Sequence, residues 1–380
     1  MTSKSSTRLK DSLVEVKNLV VRFYTYAGIV EALEGVNLHI RPGEILGLVG
    51  ETGCGKSVTS FSILQLVPPP GKIEGGEIYF NKDGKVLNIR KLDEDSIRKI
   101  RGKEIAMVFQ EPRAYLNPVY TIETQIGEAL LTHRREEFLK RAIETLEKTG
   151  KGSSFERKVY ERMLKKPKSI MTRIMAKFCS KKTLKEEIRK EVIDLLRNVE
   201  IADPERVAKM YPFELSGGMA QRAVIAMALS CNPLMLIADE PTTNLDVTVQ
   251  AQILKLIRQL RERFKSSILY ITHDLGVIAE LCDRVAVMYA GRVVELADVY
   301  ELFKDPLHPY TKALLESIPR PGQEFKSIPG TVPNLINPPK GCRFHERCQY
   351  EMEICRKVKP EFIEVKKDHF VACHLYGGLK

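Results

Sequence analysis

The chain opens on two stretches in which apolar and polar positions alternate. Residues 13–26 (LVEVKNLVVRFYTY) and 36–40 (VNLHI) repeat with period two, which predicts half-buried strands of an antiparallel sheet. Gly28, Gly35 and Pro42-Gly43 read as turns between them. Ile45–Val49 is apolar throughout and predicts a short buried strand, and Ser57–Leu66 has helical spacing. PPPGKIEGGEIYF predicts a turn and then a strand; Ile105–Gln110 (IAMVFQ) predicts a buried strand ending in an amide. Residues 121–149 and 181–201 carry Glu, Lys, Leu, Ala and Ile at helical spacing, and the stretch 150–182 between them is broken by Gly, Ser and Pro. Leu234–Glu240 (LMLIADE) and Ile268–Asp274 (ILYITHD) read as buried strands, and RVAVMYAGRVVEL as a hairpin turning at Ala290-Gly291.

Composition adds limits. A chain of 380 residues has room for two or three domains, at roughly 100–200 residues each. The 43% hydrophobic share supplies a globular core. No apolar run approaches the ~18 residues of a membrane span, and MTSKSSTRLKDS has no hydrophobic signal region. The expectation is a soluble, intracellular protein, so the eight cysteines are read as thiols or metal ligands rather than disulfides.

The net charge of +11 resembles a nucleic-acid footprint until it is mapped. Residues 134–190 hold 19 Lys and Arg against 8 Asp and Glu, which accounts for the whole excess. The rest of the chain is formally neutral, which argues against a protein-wide nucleic-acid surface.

The candidate chemistry starts at Gly50–Ser57 (GETGCGKS), which fits the phosphate-loop pattern G-x-x-x-x-G-K-[ST] in a strand–loop–helix context. Backbone N–H groups across Gly50, Glu51, Thr52, Gly53, Cys54, Gly55, Lys56, Ser57 and Val58 would cradle phosphate at a helix N-terminus. Lys56 would reach the β- and γ-phosphates of a nucleotide, and Ser57 would hold Mg²⁺. A glycine-rich turn matching by chance is the bland alternative. LSGGMAQR, with Leu215, Ser216, Gly217, Gly218 and Met219, is a second anion-binding helix start, which suggests a site completed by another subunit. Asp239 and Glu240 end a buried strand, where Asp239 suits Mg²⁺ and Glu240 suits polarising the attacking water. His273 ends another and is a candidate γ-phosphate contact. One of Phe23, Tyr24 and Tyr26 would stack on a purine, against ordinary strand packing as the alternative.

Cys342, Cys348, Cys355 and Cys373 form the pattern C-x5-C-x6-C-x17-C near the C-terminus. Four thiolates there suit zinc or a [4Fe–4S] cluster. Tight C-x₂₋₄-C zinc knuckles are lacking, and the wider spacing favours the cluster; zinc, with His345, His369 or His374 as mixed ligands, and free thiols remain the alternatives.

Phosphate loop, strand-end glutamine, LSGGMAQR, the hydrophobic strand ending in DE, NLD and then His, in that order, resemble the nucleotide-binding subunit of an ABC transporter over residues 13–300. QEPRAYLNPVYTI, ADEPTTNLDVTVQAQIL, DPLHPYTKALLESIP and NPPKGCRFHERC resemble the oligopeptide and dipeptide importer ATPases in particular. The resemblance implies an α/β phosphate-loop NTPase core with an antiparallel β subdomain, an α-helical signature subdomain over about residues 111–214 and a small cysteine-bearing extension over residues 301–380. It makes Glu240, His273 and Gln110 catalytic, with Gln110 joining Ser57 and Asp239 around Mg²⁺ and facing the transmembrane partner. It makes Phe23 the adenine-stacking ring, 33 residues before Lys56. Residues 215–219 would cap ATP bound to the opposite subunit, and Asp246 would lie at the dimer interface; Asn244 stands where the family more often has alanine. Some members carry a [4Fe–4S] cluster in the tail. The implied assembly is a heterodimer with a sister ATPase on two permeases, fed by an extracytoplasmic binding protein, peripheral to the cytoplasmic face of the membrane. Its cargo would be peptides, an oligosaccharide or a nickel complex. Residues 134–190 depart from the subfamily, and their charge suits the anionic inner leaflet or a permease loop; a solvated helical hairpin is the alternative. A soluble ABC ATPase acting on nucleic acid is the competing function, which only the basic segment favours.

Overall fold

The computed structural model describes residues 11–149, 154–167, 169–243, 245–319 and 327–377. Its strands are β1 Val14–Thr25, β2 Gly28–Ile40, β3 Ile45–Val49, β4 Gly71–Lys82, β5 Lys85–Asn88, β6 Ile105–Val108, β7 Met235–Asp239, β8 Ser267–Thr272, β9 Arg284–Tyr289, β10 Arg292–Asp298, β11 Ile363–Lys366 and β12 His369–Val371. The chain divides into two compact units. One comprises Met1–Arg101, Leu234–Pro241 and Leu254–Lys380; the other comprises Gly102–Pro233 and Thr242–Ile253.

The first unit holds two sheets. The antiparallel one runs β2-β1-β4-β5. Alternation in β1 buries Val14 and Val16, and after a shift of register between Val16 and Leu19 it buries Leu19 and Val21. Gly35 is a strand residue rather than a turn. The β1–β2 register slips between Leu19↔Val36 and Val20↔Glu34, and Gly35 occupies the bulge at φ +70°. The second sheet runs β11-β12-β10-β9-β3-β8-β7 within this unit. Here β3 is parallel to β8 and to β9, and β7 is parallel to β8. Every residue of β3, β7 and β8 is buried, which is why those segments read as apolar runs rather than alternations. The β9–β10 hairpin turns at Ala290 and Gly291, both at positive φ. The cysteine-bearing tail joins this sheet directly, because β12 pairs with β10 through Glu295↔Val371 and Leu296↔Phe370.

The second unit contains β6 and is otherwise mainly helical. Helices Ile122–Thr149 and Lys182–Asn198 match the expected spacing, and the longer one kinks at Arg134. The broken stretch between them contains two further helices, Ser154–Lys165 and Ile170–Phe178, with Gly150 to Ser153 and Lys168 outside the described residues. Helix Ser154–Lys165 repeats its apolar positions every three to four residues, so Val159, Tyr160 and Met163 are buried. The Tyr160 hydroxyl donates to Glu156 at 2.6 Å and accepts from the backbone of Leu184 at 3.2 Å. The basic segment therefore has its own small core. No helix of the described residues is long and apolar enough to cross a membrane.

Candidate functional site

The phosphate loop runs from the end of β3 into helix Lys56–Ile63. Two glycines are required by close approach. A Cβ at Gly50 would stand 2.2 Å from the Met288 carbonyl oxygen. Gly55, at φ +105°, precedes the helix with its would-be Cβ 2.6 Å from Leu33. Lys56 is buried, and its ammonium donates to the carbonyls of Gly50 at 2.8 Å and Glu51 at 3.2 Å. The cation is thus held inside the loop's own curl, where phosphate oxygens would be its natural partners. Glu51 lies half-buried, Thr52 and Gly53 are exposed, Cys54 is buried, and Ser57 and Val58 are half-buried.

The parallel order β3-β8-β7 brings the strand-end groups of this unit to the same sheet edge. The Ser57 hydroxyl donates to Asp239 Oδ1 at 3.2 Å. Burial pushes the Asp239 carboxyl up to about 6, with the Ser57 hydrogen bond opposing and the Glu240 charge adding to the rise. A buried carboxylate beside a hydroxyl is a pair of hard oxygen donors, the kind Mg²⁺ takes. Glu240 follows at φ +46°, its N–H donating to the Ile271 carbonyl at 2.9 Å. Its carboxylate lies 3.5 Å from His273 Nδ1. The structure thus brings together Lys56, Ser57, Asp239, Glu240 and His273 as the sequence reading expects.

Phe23 is half-buried on β1, and its ring edge would meet a Cβ on Gly71 at 2.7 Å. Tyr24 is engaged otherwise: its hydroxyl bonds Glu74 and Lys72 lies 5.5 Å from its ring centroid. Tyr26 is fully exposed at the β1–β2 turn.

In the second unit, Gln110 lies exposed two residues past β6. Ser216 caps helix Gly217–Leu229, its hydroxyl accepting the Met219 N–H at 3.3 Å. Leu215 is buried, while Ser216 and Gly217 are exposed at the helix start. Asp246 is exposed and its Oδ1 accepts the Val249 N–H at 2.9 Å, at the start of helix Val247–Phe264. A Cβ on Gly218 would stand 2.8 Å from Val249, and one on Gly217 3.5 Å from Leu245. The signature glycines and the Asp246 loop are therefore neighbours; Asn244 lies outside the described residues. The sequence reading missed Arg222. It is buried, donating to the Val199 carbonyl at 2.5 Å and Gln252 at 3.1 Å, and so ties the signature helix to both flanking segments. An arginine in the apolar run after LSGG was the available signal.

Of the four tail cysteines, Cys355 is buried and the others half-buried. The Cys342 N–H donates to the Cys355 carbonyl at 2.7 Å. Burial pushes the Cys342 thiol up to about 12 and Cys373 up to about 11, with Cys348 and Cys355 adding to both. Among the described residues, however, no group of three or more His, Cys, Asp and Glu side chains is arranged to hold a metal ion. The histidines that offered a mixed zinc site are committed elsewhere. His369 meets Glu295 at 2.8 Å, His345 the Cys342 carbonyl at 2.9 Å and His374 the Val358 carbonyl at 2.8 Å.

A phosphate loop on a parallel sheet, with an acid pair and a histidine at the neighbouring strand ends, defines an ATPase of the phosphate-loop class. Residues 33–243 match the family ABC transporter, and residues 294–355 match the oligopeptide/dipeptide transporter C-terminal region. A probable peptide ABC transporter ATP-binding protein of Sinorhizobium fredii is 45% identical, with 96% of this chain and 95% of that one covered. The oligopeptide transport ATP-binding protein OppD of Bacillus subtilis is 44% identical over 94% of this chain and 87% of its own. The dipeptide transport ATP-binding protein DppD of the same organism is 43% identical over 96% and 95%. Among solved structures, the ATP-binding cassette MJ0796, dimeric and bound to ADP and Pi, superposes with TM-score 0.55 at 27% identity, covering 75% of this chain and 98% of that one. The chain belongs to the ABC transporter family as an ATP-binding subunit, and the expected ATPase cassette fold holds.

Proposed function

We propose that this chain hydrolyses ATP to drive uptake of di- or oligopeptides through partner permeases. The observation that carries the reading is Lys56, Ser57, Asp239, Glu240 and His273 gathered in one unit, on a chain whose tail matches the oligopeptide/dipeptide transporter region. Lys56 neutralises phosphate charge. Ser57 and Asp239 would hold Mg²⁺, which offsets charge on the β- and γ-phosphates when bound; the same role for Gln110 rests on the sequence resemblance alone. Glu240 accepts a proton from the attacking water, and His273 steadies the γ-phosphate side. Phe23 takes the adenine. Leu215 to Met219 cap nucleotide on a second ATPase subunit, for which a sister chain is the partner, and Asp246 lies at that contact.

The wider reading is a peripheral subunit on the cytoplasmic face of the membrane, with two permeases and an extracytoplasmic binding protein. Relatives carrying peptide-transport names support the cargo. A [4Fe–4S] cluster on Cys342, Cys348, Cys355 and Cys373 belongs to the same reading on their number and spacing in the sequence alone, since no metal-holding group is arranged among the described residues. The domain limits adopted are 13–300 for the cassette, including the basic segment 134–190, and 301–380 for the extension. Reconstitution with the permeases and binding protein tests the function. ATP-dependent uptake of labelled di- to hexapeptides is the expected result. Uptake of only an oligosaccharide or a nickel complex would refute the cargo, and turnover stimulated by nucleic acid instead of permeases would refute the transport role.

A further inference from the structure

The helix Ile170–Phe178 lies within the basic segment that the transport reading leaves without a role. Its far side is anchored, with Thr172 buried and its hydroxyl donating to the Lys166 carbonyl at 2.8 Å. Its near side is apolar and open. Ile170 is 75%, Met171 53%, Ile174 48% and Phe178 80% exposed. At 3.6 residues per turn these four fall within about 100° around the axis. Arg173 and Lys177, both exposed, border one edge of that face. Exposed Lys166 precedes the helix, and Lys181 and Lys182 follow it.

An exposed Phe and Ile face is costly in water, so burial in a partner is the expected fate. The bordering cations select the partner's charge. Nucleic acid would meet the lysines and arginines, but it takes apolar side chains only as isolated wedges between unstacked bases and would leave a four-residue apolar face largely in water. An anionic bilayer satisfies both: headgroups meet the cations while the apolar side chains enter the acyl boundary. The segment's net charge of +11 within 57 residues strengthens attraction to such a surface. We infer that helix Ile170–Phe178 is an interfacial anchor that lies on anionic phospholipid and holds this subunit at the membrane independently of its permeases. The inference goes beyond the transport reading, since lipid binding by the chain alone involves neither cargo nor hydrolysis.

Vesicle flotation of the full chain tests it, using phosphatidylcholine with about one-third phosphatidylglycerol. Wild type floats with these vesicles and not with pure phosphatidylcholine, and raising salt releases part of it. The pair Ile174→Ser/Phe178→Ser and the pair Arg173→Gln/Lys177→Gln each lower partitioning about tenfold. Both pairs are solvent-facing, so ATP turnover in detergent stays at the wild-type level and reports that the chain is folded. Retained flotation of the Ile174→Ser/Phe178→Ser protein would overturn insertion and leave only diffuse attraction. Failure of wild type to float, with binding restored only when permeases are present in the vesicles, would overturn the lipid anchor in favour of a protein contact. Release of wild type from vesicles by competing RNA, with the apolar pair unimpaired, would overturn it in favour of nucleic acid.

Discussion

Arg347 of the cysteine-bearing tail grips Glu51 of the phosphate loop with both ends of its guanidinium, at 2.7 and 3.0 Å. The grip is well supported on both sides. Arg347 also donates to the Pro329 carbonyl at 2.7 Å and the Tyr289 hydroxyl at 3.3 Å, and Glu51 donates its N–H to the Tyr310 hydroxyl at 3.0 Å. Glu51 in turn offers its carbonyl to Lys56. The tail, the loop and Lys56 are therefore one connected network. Lysine at 347 keeps the charge but loses the fork. Arg347→Lys is expected to weaken binding of a fluorescent ATP analogue about tenfold, a loss of roughly 1.4 kcal/mol. Glu51→Gln should do the same, and the double variant should be no weaker than either single. Losses that multiply would show that the two residues act separately.

The proposed roles divide the labour between Lys56 and Glu240. Lys56 is buried in the loop and acts on ground-state phosphate charge, so Lys56→Ala loses nucleotide binding. On the proposed role Glu240 acts only when water attacks, so Glu240→Gln is expected to keep binding and lose hydrolysis by about a hundredfold or more. Single-turnover assays of the assembled transporter separate the two, and near-normal turnover by Glu240→Gln would remove the carboxylate from the reaction.

The parts legible in the sequence were those with a short-range cause. Periodicity marks β1, and continuous burial marks β3, β7 and β8, because each pattern follows from which faces of a strand are covered. The proximity of Ser57 to Asp239 and of Glu240 to His273 could be expected because the loop motif runs into a helix and both acids and the histidine sit at the ends of buried runs. Gly35 was misjudged as a turn because a bulge and a turn both require positive φ, and only pairing with β1 distinguishes them. Helices Ser154–Lys165 and Ile170–Phe178 were hidden by the Gly, Ser and Pro beside them, although those residues mark helix limits. The Arg347–Glu51 pair could not be read, since 296 residues separate its members.

His308 carries the clearest pH dependence. It is fully enclosed, and burial holds its imidazole at about 4, against the raising influence of Glu295. Its Nδ1 accepts the Tyr310 N–H at 3.0 Å, so the neutral ring caps helix Pro309–Glu316. The folded value lies below the ordinary one near 6.5, so the unfolded chain binds the extra proton first. Stability contributed here is complete above about 6.5 and is lost as pH falls towards about 4, on the order of 3 kcal/mol in all. Thermal melts between pH 7.5 and 4.5 should fall more steeply for wild type than for His308→Asn, whose side chain can still cap the helix but does not titrate. Parallel curves would clear His308 of the acid loss.

The tail cysteines allow one decisive measurement. Cys342 and Cys348 flank Arg347 in the sequence, the Cys342 N–H donates to the Cys355 carbonyl, and Cys373 follows β12, which pairs with the core strand β10. A tail this short builds little apolar core, so a cross-link through its sulfurs would contribute much of its order. With a [4Fe–4S] cluster, anaerobically purified protein is brown and carries about four irons and labile sulfides per chain. Chelation or air oxidation should then bleach the colour and lower the melting temperature. Because Arg347 lies in the loop between the first two sulfurs, the same treatment should weaken nucleotide binding in wild type but not further in Arg347→Lys. A colourless anaerobic preparation with one equivalent of zinc, or with none and four titratable thiols, would refute the cluster. The reading of the Lys56–Asp239–Glu240 site stands apart from that result, since it rests on the Lys56 and Ser57–Asp239 bonds and the Glu240–His273 contact.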